Sequence, residues 1–206
     1  MKFPRRGLYA ITQTEDKSTA TVLSEVEAVL QGGAKVLQYR DKQGGDAMLL
    51  GSQLLVLCRR YQVPLIINDD PQLALNLGAD GVHLGKDDQD IELVRKLLGP
   101  NAIIGVSCYN SISRARQMQA KGADYVAFGR FFPSGSKPLA SPAQLETLAL
   151  ARQVITVPIV AIGGILPENG GQLLAAGADL LAVIGGLFDQ SPHNAVLAYQ
   201  ALFMQS

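Results

Sequence analysis

Four segments of the chain repeat one another: GGAKVLQYR from residue 32, LGADGVHLG from 77, KGADYVAFG from 121 and AGADLLAVIGG from 176. In each, a Gly-Ala pair leads into a short apolar strand. The glycines of these pairs, Gly33, Gly78, Gly122 and Gly177, fall 45, 44 and 55 residues apart, too far for one strand and one helix but right for two such units. Each interval must therefore contain a further strand. The chain supplies them as PLIIND at 64, AIIGVS at 102 and VPIVAIGG at 157, with GLYAIT at 7 opening the series. All eight are short and rich in Ile, Val and Leu, as parallel strands buried on both faces are. Helical stretches are predicted between them, near 19–32, 46–62, 71–77, 89–98, 111–121, 142–154, 167–176 and 192–204. Ser or Pro opens several of them, and Gly stops those ending at Leu98, Lys121 and Ala176. Eight alternations of strand and helix predict an α/β fold, a (β/α)8 TIM barrel filling residues 1–206 as a single domain; an open doubly wound sheet is the alternative.

Composition is compatible with that reading. Hydrophobic residues make up 48% of the chain and charged ones 17%, enough to bury a large core. Eighteen basic residues balance eighteen acidic ones, so no overall field draws the chain to nucleic acid or to an anionic membrane, and any anion binding has to be local. Neither is expected as a partner. The basic start MKFPRR is followed by too short an apolar stretch for a signal peptide, and no run approaches the roughly 18 apolar residues of a membrane span. Cys58 and Cys108 lie far apart with no metal-ligand spacing, and read as buried thiols in a reducing cytoplasm.

In such a barrel, chemistry sits at the carboxyl ends of the strands. Those positions are polar here. Strand two runs into Gln38, Tyr39, Arg40, Asp41 and Lys42, strand three into Asn68, Asp69 and Asp70, strand four into Lys86, Asp87 and Asp88, and strand five into Ser107. Gln38, Arg40 and Lys42 alternate, so they share a face while extended geometry lasts. Two cations on that face require a carboxylate ring or a bound anion to offset them. Gly163–Gly164 and Gly185–Gly186 end the last two strands, where barrels commonly hold a phosphate on backbone N–H groups. The loop PSGSK, with Ser134, Gly135, Ser136 and Lys137, adds two hydroxyls and an ammonium. Asp69 and Asp88 are hard oxygen donors suited to Mg²⁺, which typically takes one or two protein carboxylates beside water and substrate phosphate. Asp70 and Asp87 read as solvated neighbours or helix starters. Two anion sites, a diphosphate beside a metal and a monophosphate at the glycines, are the expectation. Neither His83, within a strand, nor His193 is assigned a catalytic role.

Taken together, QYRDK, IIND, GVHLGKDD, IGVS, FFPSGSKP and VAIGGI resemble the thiamine-phosphate synthase family in order and approximate spacing, over nearly the whole chain. The resemblance implies a Mg²⁺-dependent transferase of thiamine biosynthesis. It would join a hydroxymethylpyrimidine diphosphate to a thiazole phosphate, or its carboxylated form, and release diphosphate. Carried over, Gln38 and Ser107 orient the pyrimidine, and Arg40, Lys42, Asn68 and Lys137 hold its diphosphate. Tyr39 and Asp41 belong to the same substrate-binding run. Asp69 and Asp88 bind the metal, while Ser134, Gly135 and Ser136 with Gly164, Ile184 and Gly185 take the thiazole phosphate. Arg40, Lys42, Lys137 and Ser107 are the candidate catalytic residues. Small molecules are the implied partners, and the sequence leaves homo-oligomer formation open.

The chain departs from the family pattern at a few positions. Serines stand at 134 and 136 where threonine is usual, Gly185 replaces a common serine, and Lys86 stands where glutamine is frequent. The nearest rival, a related thiazole tautomerase, relies on a histidine where this chain has Tyr109. A sensor that binds phosphorylated ligands without turnover is the reading from a different class.

Overall fold

The computed structural model describes residues 1–41, 46–85, 90–133 and 142–204. Strand and helix alternate through it: β1 (Gly7–Ile11), α1 (Thr19–Gln31), β2 (Val36–Tyr39), α2 (Ala47–Tyr61), β3 (Leu65–Asn68), α3 (Pro71–Leu77), β4 (Gly81–Leu84), α4 (Ile91–Leu98), β5 (Ile103–Tyr109), α5 (Ile112–Ala120), β6 (Tyr125–Gly129), α6 (Leu145–Arg152), β7 (Ile159–Ile162), α7 (Pro167–Ala175), β8 (Leu180–Val183), α8 (Gly185–Phe188) and α9 (Pro192–Met204). The strands pair in parallel in chain order and β8 closes on β1, so the sheet is a closed barrel and the open alternative is excluded. Among the described residues, the element the sequence did not signal is α8, a single turn after the last strand.

Because successive side chains of a strand face opposite ways, the closed sheet makes two cores. Leu37, Ile67, Val82, Val126 and Leu181 face outward and pack with the inner stripes of the helices. Tyr9, Ile11, Val36, Ile66, Ile103, Tyr125, Val160 and Leu180 fill the interior, with Phe3 against them. Phe3 stacks on Tyr125 at 4.0 Å between ring centroids. At β5 the interior position is Gly105, and a Cβ there would stand 1.8 Å from the Tyr125 ring, so a bare backbone gives that ring its space.

The Gly-Ala repeat has a structural purpose beyond opening a strand. In three of its copies the next residue is aspartate, and each carboxylate performs the same task at the amino-terminal rim. Asp80 accepts from the Leu65 N–H at 3.0 Å, Asp124 from the Ile104 N–H at 2.8 Å and Asp179 from the Ile159 N–H at 2.8 Å. An arginine of a nearby helix closes each latch: Arg59 at 2.7 Å, Arg95 at 2.6 Å and Arg152 at 2.8 Å. One carboxylate thus satisfies a strand-start donor that lacks a ladder partner and ties a helix to the sheet. The first copy carries Lys35 instead, and its aliphatic stem lies where a side chain at Gly7 would stand.

Candidate functional site

The carboxyl-terminal rim surrounds a cavity of about 780 Å³. Of the residues singled out in the sequence, Gln38, Arg40, Asp41, Asn68, Asp69, Ser107, Gly164, Ile184 and Gly185 line it, contributed by β2, β3, β5 and the segments after β7 and β8. Lys42, Asp88, Ser134, Gly135, Ser136 and Lys137 lie outside the described residues. Tyr39 does not join the group. It alternates away from Gln38 and is packed in the outer core, where burial and the neighbouring Asp41 carboxylate push its phenol up to about 12.

Arg40 is placed by its backbone. It lies one residue past β2, and Thr12 extends the β1–β2 pairing with its side chain: the Arg40 N–H donates to Thr12 Oγ1, which donates in turn to the Arg40 carbonyl, both at 2.9 Å. The shared interior face of Gln38 and Arg40 therefore persists beyond the formal end of the strand. Asp41 accepts from the Thr14 hydroxyl at 2.9 Å, which fixes the next step of the turn.

The two adjacent aspartates after β3 separate cleanly. Asp70 caps α3, accepting from the Leu73 N–H at 2.8 Å, and so belongs to the scaffold. Asp69 has a left-handed backbone (φ 61°), uncommon for a residue with a Cβ, and its N–H donates to the His83 carbonyl at 2.8 Å. Its carboxylate accepts from Asn68 Nδ2 at 2.7 Å. Among the described residues no cluster of three or more His, Cys, Asp or Glu could hold a metal ion. A hard carboxylate at the mouth matches the sparse protein ligation Mg²⁺ accepts, and the second donor expected from sequence, Asp88, is outside the described region.

Ser107 is set by an irregularity. The β5–β6 register shifts between Ser107 and Tyr109, a bulge of the kind that re-aims side chains beside a site, and Tyr109 takes a left-handed backbone (φ 57°). Across the barrel, Gly164 turns with φ 62° where a Cβ would meet the Pro133 carbonyl at 2.3 Å, so the chain after β6 can lie against the turn after β7. At Gly185, a Cβ would stand 2.3 Å from an Asp189 carboxylate oxygen. Asp189 accepts from Gln13 Nε2 at 2.9 Å, and this pair fills the space that a side chain at 185 would need.

Several lining residues were not foreseen, among them Tyr9, His83, Tyr125 and Arg130. The first three join Gln38 and Ser107 in one hydrogen-bonded row across the cavity floor. Gln38 Nε2 lies 2.9 Å from the Tyr9 hydroxyl, which lies 2.8 Å from that of Tyr125; His83 then spans Tyr125, through Nδ1, and Ser107 Oγ, through Nε2, each at 2.9 Å. Burial raises both phenols well above their ordinary range, so they stay protonated and are poor bases. Cys58 and Cys108, both pushed up to about 12 by burial, are not nucleophiles at neutral pH.

The family model for thiamine monophosphate synthase matches residues 8–187, from the first strand into the last short turn of helix. The chain belongs to the thiamine monophosphate synthase family. It is 54% identical over 187 residues to the thiamine-phosphate synthase of Methylobacillus flagellatus, with 90% of this chain and 88% of that one covered. To the thiamine-phosphate synthase of Methylococcus capsulatus it is 50% identical over 190 residues, covering 91% and 84%. Among solved structures, thiamine phosphate pyrophosphorylase from Pyrococcus furiosus superposes with a TM-score of 0.88 at 32% identity, over 98% of this chain and 96% of that one.

Proposed function

We propose that this chain is a thiamine-phosphate synthase, a transferase that condenses 4-amino-2-methyl-5-(diphosphooxymethyl)pyrimidine with a thiazole phosphate to give thiamine phosphate and diphosphate. The supporting observation is that Gln38, Arg40, Asn68, Asp69 and Ser107 converge on the same cavity as Gly164, Ile184 and Gly185. A volume of about 780 Å³ is in the range of sites for small molecules of this kind.

In this reading Gln38 and Ser107 hold the pyrimidine ring, while Arg40, with Lys42, Asn68 and Lys137, binds the diphosphate. As the bond from the exocyclic carbon to the diphosphate oxygen breaks, charge builds on the leaving group, and fixed cations that meet it there lower the barrier. The carbon becomes a pyrimidinyl cation, which the thiazole nitrogen captures with its lone pair, so no protein nucleophile or strong base takes part. Backbone groups at Gly164, Ile184 and Gly185, with Ser134 and Ser136, anchor the thiazole phosphate and hold that nitrogen in line. Asp69 and Asp88 would hold Mg²⁺, which when bound supplies further charge neutralisation on the diphosphate. No helix among the described residues is long and apolar enough to cross a membrane, and the proposed setting is the cytoplasm.

The test is to supply the purified chain with both substrates and Mg²⁺ and to measure thiamine phosphate and diphosphate. Equal amounts of the two products are expected, with neither formed when one substrate is omitted and sharply less of both in EDTA. Interconversion of thiazole tautomers without coupling, or binding of both ligands without product, would overturn the proposal.

A further inference from the structure

The row across the cavity floor has a direction. Gln38 presents Nε2 to Tyr9, and an amide nitrogen only donates, so the Tyr9 oxygen accepts there. Tyr9 is 1% exposed and its one proton has a single further partner, the Tyr125 oxygen. Turning that bond round would leave a buried hydroxyl proton with no acceptor, which is the costly arrangement. Tyr125, fully buried, then passes its own proton to His83 Nδ1. A neutral imidazole with a lone pair on Nδ1 carries its proton on Nε2, and that N–H donates to Ser107 Oγ. The Ser107 proton is left for the cavity. At the other end, Gln38 keeps its Oε1 for the cavity.

We propose that Tyr9, Tyr125 and His83 are positioning residues that lock this polarity, making Ser107 a donor to a ring nitrogen and Gln38 an acceptor for a ring amino group, and so select a 4-aminopyrimidine over its 4-oxo counterpart. The proposal rests on the reading above that the pyrimidine lies between Gln38 and Ser107. A 4-oxo ring presents the reverse pattern, a ring N–H beside a carbonyl oxygen: its oxygen would face the Gln38 oxygen, acceptor against acceptor, and its N–H would force the Ser107 proton to turn away from the ring. Reversing one member of the row without reversing the others strands a proton or a lone pair, so the five groups switch together or not at all. The surroundings hold the members still. Phe3 stacks under Tyr125, His83 lies over it with ring centroids 5.6 Å apart, and the absence of a side chain at Gly105 leaves the ring its place.

Two measurements test this. The chain has two histidines, so ¹⁵N-histidine labelling gives two sets of ring signals, and a His193→Gln variant assigns them. At neutral pH His83 should be the Nε2–H tautomer; the Nδ1–H tautomer or an imidazolium would overturn the polarity. Second, the dissociation constants of the 4-amino and 4-oxo pyrimidine diphosphates are compared calorimetrically without thiazole phosphate, which removes the chemistry from the comparison. The native chain should prefer the amino compound by about 100-fold, and Tyr125→Phe should cut that preference about tenfold while leaving thiazole phosphate affinity unchanged. Full discrimination retained by a folded Tyr125→Phe variant would overturn the role of the row, given that Gln38→Ala and Ser107→Ala weaken pyrimidine binding. If those two variants bind the pyrimidine like the native chain, the placement of the ring itself fails, and the selectivity mechanism with it.

Discussion

At the scale of single residues, what a side chain can do here is decided by the strand face it occupies. Gln38 and Tyr39 are neighbours in sequence, yet one is on the cavity floor and the other in the outer core. The adjacent Asp69 and Asp70 divide in the same way between the cavity and a helix cap. Arg40→Ala should lower kcat/KM for the pyrimidine diphosphate by about 100-fold, the scale of losing one aligned charge partner for a developing anion, with little change in KM for the thiazole phosphate. Steady-state kinetics with each substrate varied in turn checks both halves of that expectation. Gly105→Ala removes no contact but forces the Tyr125 ring aside. Overpacking of this kind costs about 1–3 kcal/mol, read as a lowered urea midpoint, and the floor-dependent preference between pyrimidines should fall with it.

At the scale of elements, the strand-helix order, the closed sheet and most element limits were legible because the Gly-Ala repeat and the apolar runs report on them directly. The same alternation that separates Gln38 from Tyr39 also points Tyr9, His83 and Tyr125 inward, since Leu8, Val82, Leu84 and Val126 beside them face the helices. A reading by strand face would therefore have found the floor; reading His83 only as a residue inside a strand missed it. The bulge at Ser107 and the single turn of α8 were not legible, because both arise from how the closed sheet meets its loops and leave no periodic trace in the sequence. The aspartate latches yield a ranked prediction. Asp80, with its side chain 3% exposed, loses more on truncation than Asp179 at 27%. Asp80→Ala should cost about 3 kcal/mol, as expected when a buried partner is removed and a strand N–H orphaned, and Asp179→Ala about 1–2 kcal/mol, measured by urea unfolding.

For the whole molecule, pH is the informative variable. Cys58 and Cys108 have folded values raised to about 12 by burial, well above those of thiols in the unfolded chain. A group whose folded value is raised contributes stability that is complete below its unfolded value and is lost as pH rises toward the folded one. Stability should therefore hold to about pH 8 and then fall between about pH 9 and 12, by up to about 1.4 kcal/mol per pH unit for each thiol. Urea unfolding in a series of alkaline buffers checks this, and Cys58→Ala should remove one thiol's share of the slope. Both thiols sit in the outer core, whereas the substrates would be held inside the barrel.

The aspartate latches fasten the barrel at the rim opposite the cavity. Residues around the mouth take no part in these fastenings, so exchanges there leave the latches intact. A barrel secured from below in this manner is a chassis: its upper loops can be retooled for other phosphorylated rings while the fastened end is left untouched.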